Sequence, residues 1–140
     1  MAWEAGLAGF PRQAKLALMK HAPGFLKLVE DAKSRIREVT VEQTRARLAS
    51  NPGAVLIDVR EDLEWTASHA EGAVHLGKGV LERDLEATYP DQAAELILYC
   101  GGGFRSALAA EAAQKMGYTN VWSLAGGFRA LGEAGWPMTR

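Results

Sequence analysis

Leu96-Ile97-Leu98-Tyr99-Cys100-Gly101-Gly102-Gly103-Phe104-Arg105-Ser106 is the stretch on which the reading of this chain turns. An apolar run, a thiol, three glycines, an aromatic side chain, an arginine and a serine lead directly into an alanine-rich segment, Ala107 to Ala113. This order predicts a strand over 96–100, a tight loop, and a helix over 105–116. Cys100 then sits at the carboxyl end of a strand, beneath a loop that opens a helix. Backbone N–H groups at such a place can point inward and form an anion site. The same field favours the thiolate, the nucleophilic form of cysteine. Consecutive glycines are costly unless the backbone must take unusual angles or approach a ligand closely. With no Cβ to block Gly101, Gly102 and Gly103, five or six converging N–H groups plus Arg105 are expected to stabilise a thiolate, a bound oxyanion, or a sulfur anion carried on Cys100. A plain flexible loop would also accept the glycines, but it does not account for their place between the only thiol of the chain and an arginine.

On either side of this stretch, strand and helix signals alternate. Ile36 to Val39 predicts a short edge strand, and Thr40 with Gln43 resembles a capping box opening a helix over 41–49. Asn51-Pro52-Gly53 marks a turn. Ala54 to Val59 is a continuous apolar run carrying one carboxylate, Asp58, as a buried parallel strand would. A short helix is predicted over 61–67, a strand over 72–76 and a helix over 81–89, stopped by Pro90. After the central loop and helix, Gly117 suits a helix C-terminus. Asn120 to Leu124 reads as a further strand, and Gly126-Gly127 turns into a last short helix ending at Gly135. This alternation predicts an α/β domain with a central, mostly parallel sheet flanked by helices. Ligands in such folds bind outside the carboxyl ends of strands, where Cys100 falls.

The 140 residues suffice for one domain with a proper core, and a net charge of −1 does not suggest a nucleic-acid partner. A single cysteine excludes an internal disulfide and a multi-cysteine metal site, and suits a reducing compartment, so a cytoplasmic location is expected. No apolar run approaches the ~20 residues of a membrane span, and the N-terminus lacks the order of a secretory signal. Charge is uneven: residues 1–37 hold seven Lys/Arg against three Asp/Glu. Residues 1–36 are therefore expected to form an N-terminal helical extension distinct from a domain spanning 37–140. That extension reads as two short helices broken at Ala22-Pro23-Gly24. Phe25, Leu28, Val29, Ala32 and Ile36 form an apolar face that would pack on the domain or on a second copy, giving a homodimer. Glu30 and Asp31, with a single serine in the segment, argue against a membrane-surface or transit role.

Five motifs in order resemble the rhodanese (sulfurtransferase) superfamily over residues 37–140, as a single-domain member. They are Leu56-Ile57-Asp58-Val59-Arg60-Glu61 with Glu64-Trp65; His69 with Glu71 to His75; Leu98-Tyr99-Cys100 with Gly103, Arg105 and Ser106; Met116-Gly117-Tyr118 with Asn120-Val121; and Leu124 to Phe128. Ala70-Glu71 and Phe128 depart from the commonest pattern, where Ile-Pro and tryptophan stand. The resemblance implies a rhodanese-like fold in which Cys100 accepts sulfur and becomes a persulfide; no cofactor is expected, and one Cys with scattered histidines gives no zinc-ligand spacing. The donor would be thiosulfate or a persulfide, and the acceptor a thiol, cyanide or a partner protein. The loop Gly101, Gly102, Gly103, Phe104, Arg105 and Ser106 would bind the donor, with Arg105 attracting its charge, Phe104 limiting water, and Ser106 capping the helix or bonding the sulfur.

Asp58 and Arg60 match the family's Asp-Val-Arg signature. A carboxylate on a buried strand must be ion-paired or hydrogen-bonded, so this pair is expected to hold the loops beneath the site. Glu61 and Glu64 are expected on a solvated face or paired with Arg60, and His69 and His75 in packing roles. Phosphatases of the same fold carry a longer loop between cysteine and arginine. The four residues here, Gly101 to Phe104, suit a single sulfur atom better than a phosphate, and the loop offers no acid for an alkoxide leaving group. A non-catalytic alternative is a sulfur carrier or docking module working with a protein partner.

Overall fold

The computed structural model describes residues 21–140. The first of the two helices expected in the N-terminal extension therefore lies outside the described residues. The described elements are α1 (Pro23–Lys33), β1 (Glu38–Val39), α2 (Val41–Ser50), β2 (Val55–Asp58), α3 (Asp62–Ala67), β3 (His69–Ala70), β4 (Val74–His75), α4 (Lys78–Thr88), β5 (Leu96–Tyr99), α5 (Phe104–Lys115), β6 (Val121–Leu124), α6 (Gly127–Glu133) and β7 (Met138–Thr139). Five strands form an all-parallel sheet in the order β1-β6-β5-β2-β4. The chain leaves β2 toward β4 and leaves β5 toward β6, so a crevice opens between the carboxyl ends of β2 and β5. Open α/β sheets bind ligands at such a switch point.

Strand alternation distributes the core over both faces. Leu96, Leu98 and Cys100 face α4 and α5 together with Ile57, Val59, Leu81 and Leu85. Ile97 and Tyr99 face the other way with Leu56, Leu124 and Leu131. Helix α5 buries Ser106, Ala107, Ala109, Ala110 and Ala113, small side chains that let its axis lie close to the sheet. Its end is a Schellman motif: Gly117 N–H donates to Gln114 O and Tyr118 N–H to Ala113 O, with Gly117 at φ +104°. The capping box of α2 forms as the sequence predicts, Thr40 and Gln43 each bonding the other's backbone N–H.

The apolar face of α1 is turned onto α5, where Val29 and Ala32 are buried. Arg35, just beyond α1, bonds Glu111 of α5 through Nε at 2.7 Å, and its carbonyl accepts from Gln114 Nε2 at 3.0 Å. Val29 and Ala32 thus pack on the chain's own domain, while Leu28 of the same face is 60% exposed. One element is absent from the sequence reading: β3 and β7 pair antiparallel, His69 opposite Thr139 and Ala70 opposite Met138, tying the C-terminus beside the sheet. No described helix is long and apolar enough to cross a membrane.

Candidate active site

Cys100 follows the last residue of β5 and is 1% exposed, at the floor of a pocket. Its Sγ accepts N–H bonds from Gly103 at 3.2 Å and Ser106 at 3.3 Å, and lies 3.6 Å from Ser106 Oγ. Ser106 Oγ is in turn 2.8 Å from Ser123 Oγ on β6. The capping role expected of Ser106 does not occur: Gly103 is the N-cap of α5, and the Ser106 hydroxyl is buried between Ser123 and the sulfur. Of the converging amides expected from the glycine run, two reach the sulfur. Those of Gly101, Gly102, Phe104 and Arg105 meet no protein acceptor among the described residues. Phe104 and Arg105 stand in the first turn of α5, where a helix leaves its N–H groups without partners, and Gly101 and Gly102 precede its N-cap.

Two glycines fix this loop. Gly103 has φ +95°, and a Cβ there would come within 3.1 Å of Gly126 N and 3.3 Å of Leu124 O. Gly127 has φ +53°, and any Cβ on it would overlap the Cys100 carbonyl. That approach lets the N-terminus of α6 grip the loop, with Phe128 N–H donating to Cys100 O at 2.7 Å and Arg129 N–H to Gly101 O at 3.2 Å. The carbonyls of Cys100 and Gly101 are thus held by the start of α6.

The turn after β2 is built differently. Asp58 and Arg60 are 0% and 5% exposed and bond each other through both carboxylate oxygens, at 2.8–3.1 Å. Asp58 also accepts the Arg60 N–H at 2.8 Å, and Arg60 Nη2 reaches Ser68 O at 2.6 Å. The guanidinium lies 4.2 Å from the centre of the Phe128 ring, so the pair supports the residue that holds Cys100. Burial works against the charge on Arg60, but Asp58 outweighs it and keeps the guanidinium more basic than usual. Tyr99, beneath, is pushed up by burial and by Asp58, and its hydroxyl accepts the Ala70 N–H at 3.1 Å.

Glu64 corrects an expectation. It is neither purely solvated nor paired with Arg60; it takes the Arg105 guanidinium in a two-point bond, 2.6 Å to Nη1 and 3.0 Å to Nη2. Arg105 holds the Glu64 carboxyl below its usual range, against partial burial. Arg105 is therefore anchored laterally to α3 and braces the loop. His69 and His75 both stack with Trp65, with ring centres 3.4 and 5.0 Å away. Their ring N–H groups donate to the carbonyls of Trp65 and Arg60, as packing roles require. No described cluster of His, Cys, Asp and Glu could hold a metal ion.

The pocket above the thiol has a volume of about 510 Å³ and is walled by His21, Phe25, Phe104, Arg105 and Arg129. A larger, more open groove of about 780 Å³ lies beyond Phe25 and Arg105, against Leu28, Leu63 and Val80, and does not include Cys100. The sequence reading missed His21 and Arg129 and took Phe25 only as part of an apolar helix face. No local pattern marks them, because they reach the site from segments far along the chain.

Comparison with known proteins places the chain in a family. The family described as Rhodanese-like domain matches residues 40–134. The chain is 35% identical over 104 residues to the thiosulfate sulfurtransferase GlpE of Actinobacillus succinogenes, 72% of this chain and 88% of that protein. It is 30% identical over 96 residues to the "Putative sulfur carrier protein YrkF" of Bacillus subtilis, 69% of this chain but only 51% of that protein. Among solved structures, a Rhodopseudomonas palustris protein of unknown function, "Possible Tyrosine Phosphatase", superposes with a TM-score of 0.74 at 29% identity. That match covers 82% of this chain and 93% of the other.

Proposed function

Because the chain belongs to the rhodanese-like domain family of sulfurtransferases, we propose that it transfers a sulfane sulfur from thiosulfate or a persulfide donor to a thiol or cyanide through a persulfide on Cys100. The observation that carries this reading is the thiol under a loop with uncommitted amides. Gly103 and Ser106 already donate to Sγ, while the amides of Gly101, Gly102, Phe104 and Arg105 in the same loop have no protein acceptor among the described residues. Preorganised donors of this kind stabilise charge in a site that excludes water.

The Cys100 thiolate attacks the outer sulfur of thiosulfate. The S–S bond of the donor breaks, sulfite leaves with the electron pair, and Cys100–S–S⁻ remains. The outer sulfur moves one atom further out, toward the open amides. An acceptor thiolate or cyanide then attacks that outer sulfur and returns the Cys100 thiolate, a ping-pong sequence. Asp58 and Arg60 hold the loop through Phe128, and Arg105 braces it through Glu64.

A phosphatase reading has less support. The loop places four residues between Cys100 and Arg105, shorter than the phosphatase pattern, and it carries no acid to protonate an alkoxide. The likeness to a sulfur carrier favours one second reading, a carrier loaded by a protein donor. The deciding experiment is intact mass after thiosulfate and then cyanide. A gain of about 32 Da that cyanide removes, absent in Cys100→Ser, supports the enzyme. No gain from thiosulfate moves the reading to a carrier or docking role.

A further inference from the structure

Helix α1 lies outside the segment that the family match covers. It nonetheless enters the active site. Phe25 and the preceding His21 wall the Cys100 pocket, and their rings cluster with that of Phe104, with centres 5.0 Å apart for His21–Phe104 and 6.3 Å for Phe25–Phe104. Lys33, at the end of α1, places its Nζ 5.2 Å from the centre of the same Phe104 ring. The buried Val29 and Ala32 fix α1 on α5, so this wall is held by core packing rather than by surface contacts.

Charge is arranged separately from the apolar wall. Arg105 is engaged by Glu64. Arg129 is exposed, lines the same pocket, and has no carboxylate partner among the described residues. Its backbone N–H is fixed on Gly101 O, so the side chain starts from the rim of the loop. A pocket of about 510 Å³ falls in the range that holds an organic molecule, and far exceeds what thiosulfate fills.

Resting on the sulfurtransferase reading above, we propose that α1 and Arg129 make this pocket a recognition site for an organic sulfane-sulfur anion, one with an apolar body against Phe25, His21 and Phe104 and its charge at Arg129. The transfer balances as for thiosulfate. With an organic thiosulfonate, Cys100–S⁻ attacks the terminal sulfur of R–SO₂–S⁻, the S–S bond breaks, and the sulfinate R–SO₂⁻ leaves with the electron pair. Cys100–S–S⁻ is formed with no net oxidation.

The test is a matched pair of donors with the same charge and the same leaving-group chemistry, benzenethiosulfonate and methanethiosulfonate, with the full chain. Wild type is expected to favour the arene in kcat/KM by roughly tenfold or more, the effect of burying one ring. Phe25→Ala should bring that ratio close to unity. Phe25→Leu, which keeps α1 apolar but removes the ring, should lower it in part, and serves if the alanine variant folds poorly. Arg129→Ala should raise KM for both anions by roughly tenfold, with partial recovery in Arg129→Lys. A wild-type ratio near unity, or a ratio unmoved in both Phe25 variants, overturns the role of α1, and an unmoved KM in Arg129→Ala overturns that of Arg129. Failure of the sulfurtransferase reading has a different signature: neither thiosulfonate adds about 32 Da to wild type.

Discussion

The turn after β2 and the loop after β5 leave adjacent parallel strands, with Asp58 directly opposite Tyr99 in register. They nevertheless settle their polar groups in opposite ways. The first buries two charges and saturates them: both Asp58 oxygens and the Arg60 guanidinium have partners, and no buried side-chain polar atom among the described residues lacks one. The second leaves four amides, in the loop that follows a buried thiol, without protein acceptors among the described residues. Saturation makes a scaffold, because a buried charge without its partner is heavily penalised. Open donors at a helix start make a receptor, because they stabilise whatever anion arrives. Two neighbouring strand ends of one sheet thus differ in whether their polar groups are satisfied within the protein.

That contrast can be broken at several points. The largest effect is expected from Cys100→Ser, which should lower sulfur transfer by about 10³-fold or more and leave the thermal midpoint near wild type; activity retained in this variant ends the covalent mechanism. Asp58→Ala should act on stability instead. Stranding Arg60 in the core is expected to cost about 3–5 kcal/mol in urea unfolding, with sulfur loading preserved in the folded fraction. If loading is lost while stability is kept, Asp58 belongs with the receptor. Gly127→Ala joins the two regions, since its Cβ would collide with the Cys100 carbonyl at a positive φ. About 2–3 kcal/mol of destabilisation is expected, accompanied by slower loading.

The smallest effect concerns the Glu64–Arg105 brace, whose side chains are 37% and 30% exposed. Glu64 has its pKa lowered by Arg105. Its contribution to stability is therefore present above the ordinary glutamate range and is lost as pH falls through that range toward the lowered folded value. Solvent screening limits it to about 0.5 kcal/mol. Glu64→Gln should remove this acid-side slope, measured as the difference in urea midpoint between neutral and acid pH. An unchanged slope would mean that Arg105 is held by something other than Glu64.

Much of this was legible in order and spacing. The strand–glycine loop–helix passage, the capping box at Thr40 and Gln43, the C-terminal Gly117 and the parallel sheet all appear where the sequence puts them, with boundaries moved by one to three residues, as for α4 at Lys78 rather than Leu81. Such features are encoded by residues within a few positions of one another, so local patterns report them. Asp58 was also legible as a paired group, because a carboxylate inside an apolar strand has no other stable state.

Other features had no local trace. The β3–β7 pair joins His69 and Ala70 to Thr139 and Met138, two residues on each side, too short for any periodicity to register. Glu64 was free, on sequence grounds, to pair with either arginine, and only the positions of α3 and α5 give it to Arg105. The wall of the Cys100 pocket is the clearest case, since His21, Phe25, Phe104 and Arg129 come from the edge of α1, the start of α5 and α6. The sequence by itself determined where the single thiol sits and the glycine loop over it, because a strand end, glycines and a helix start act through contiguous backbone. Tertiary structure alone decided what surrounds that loop and which arginine is paired with Glu64, because those contacts depend on how separate elements pack.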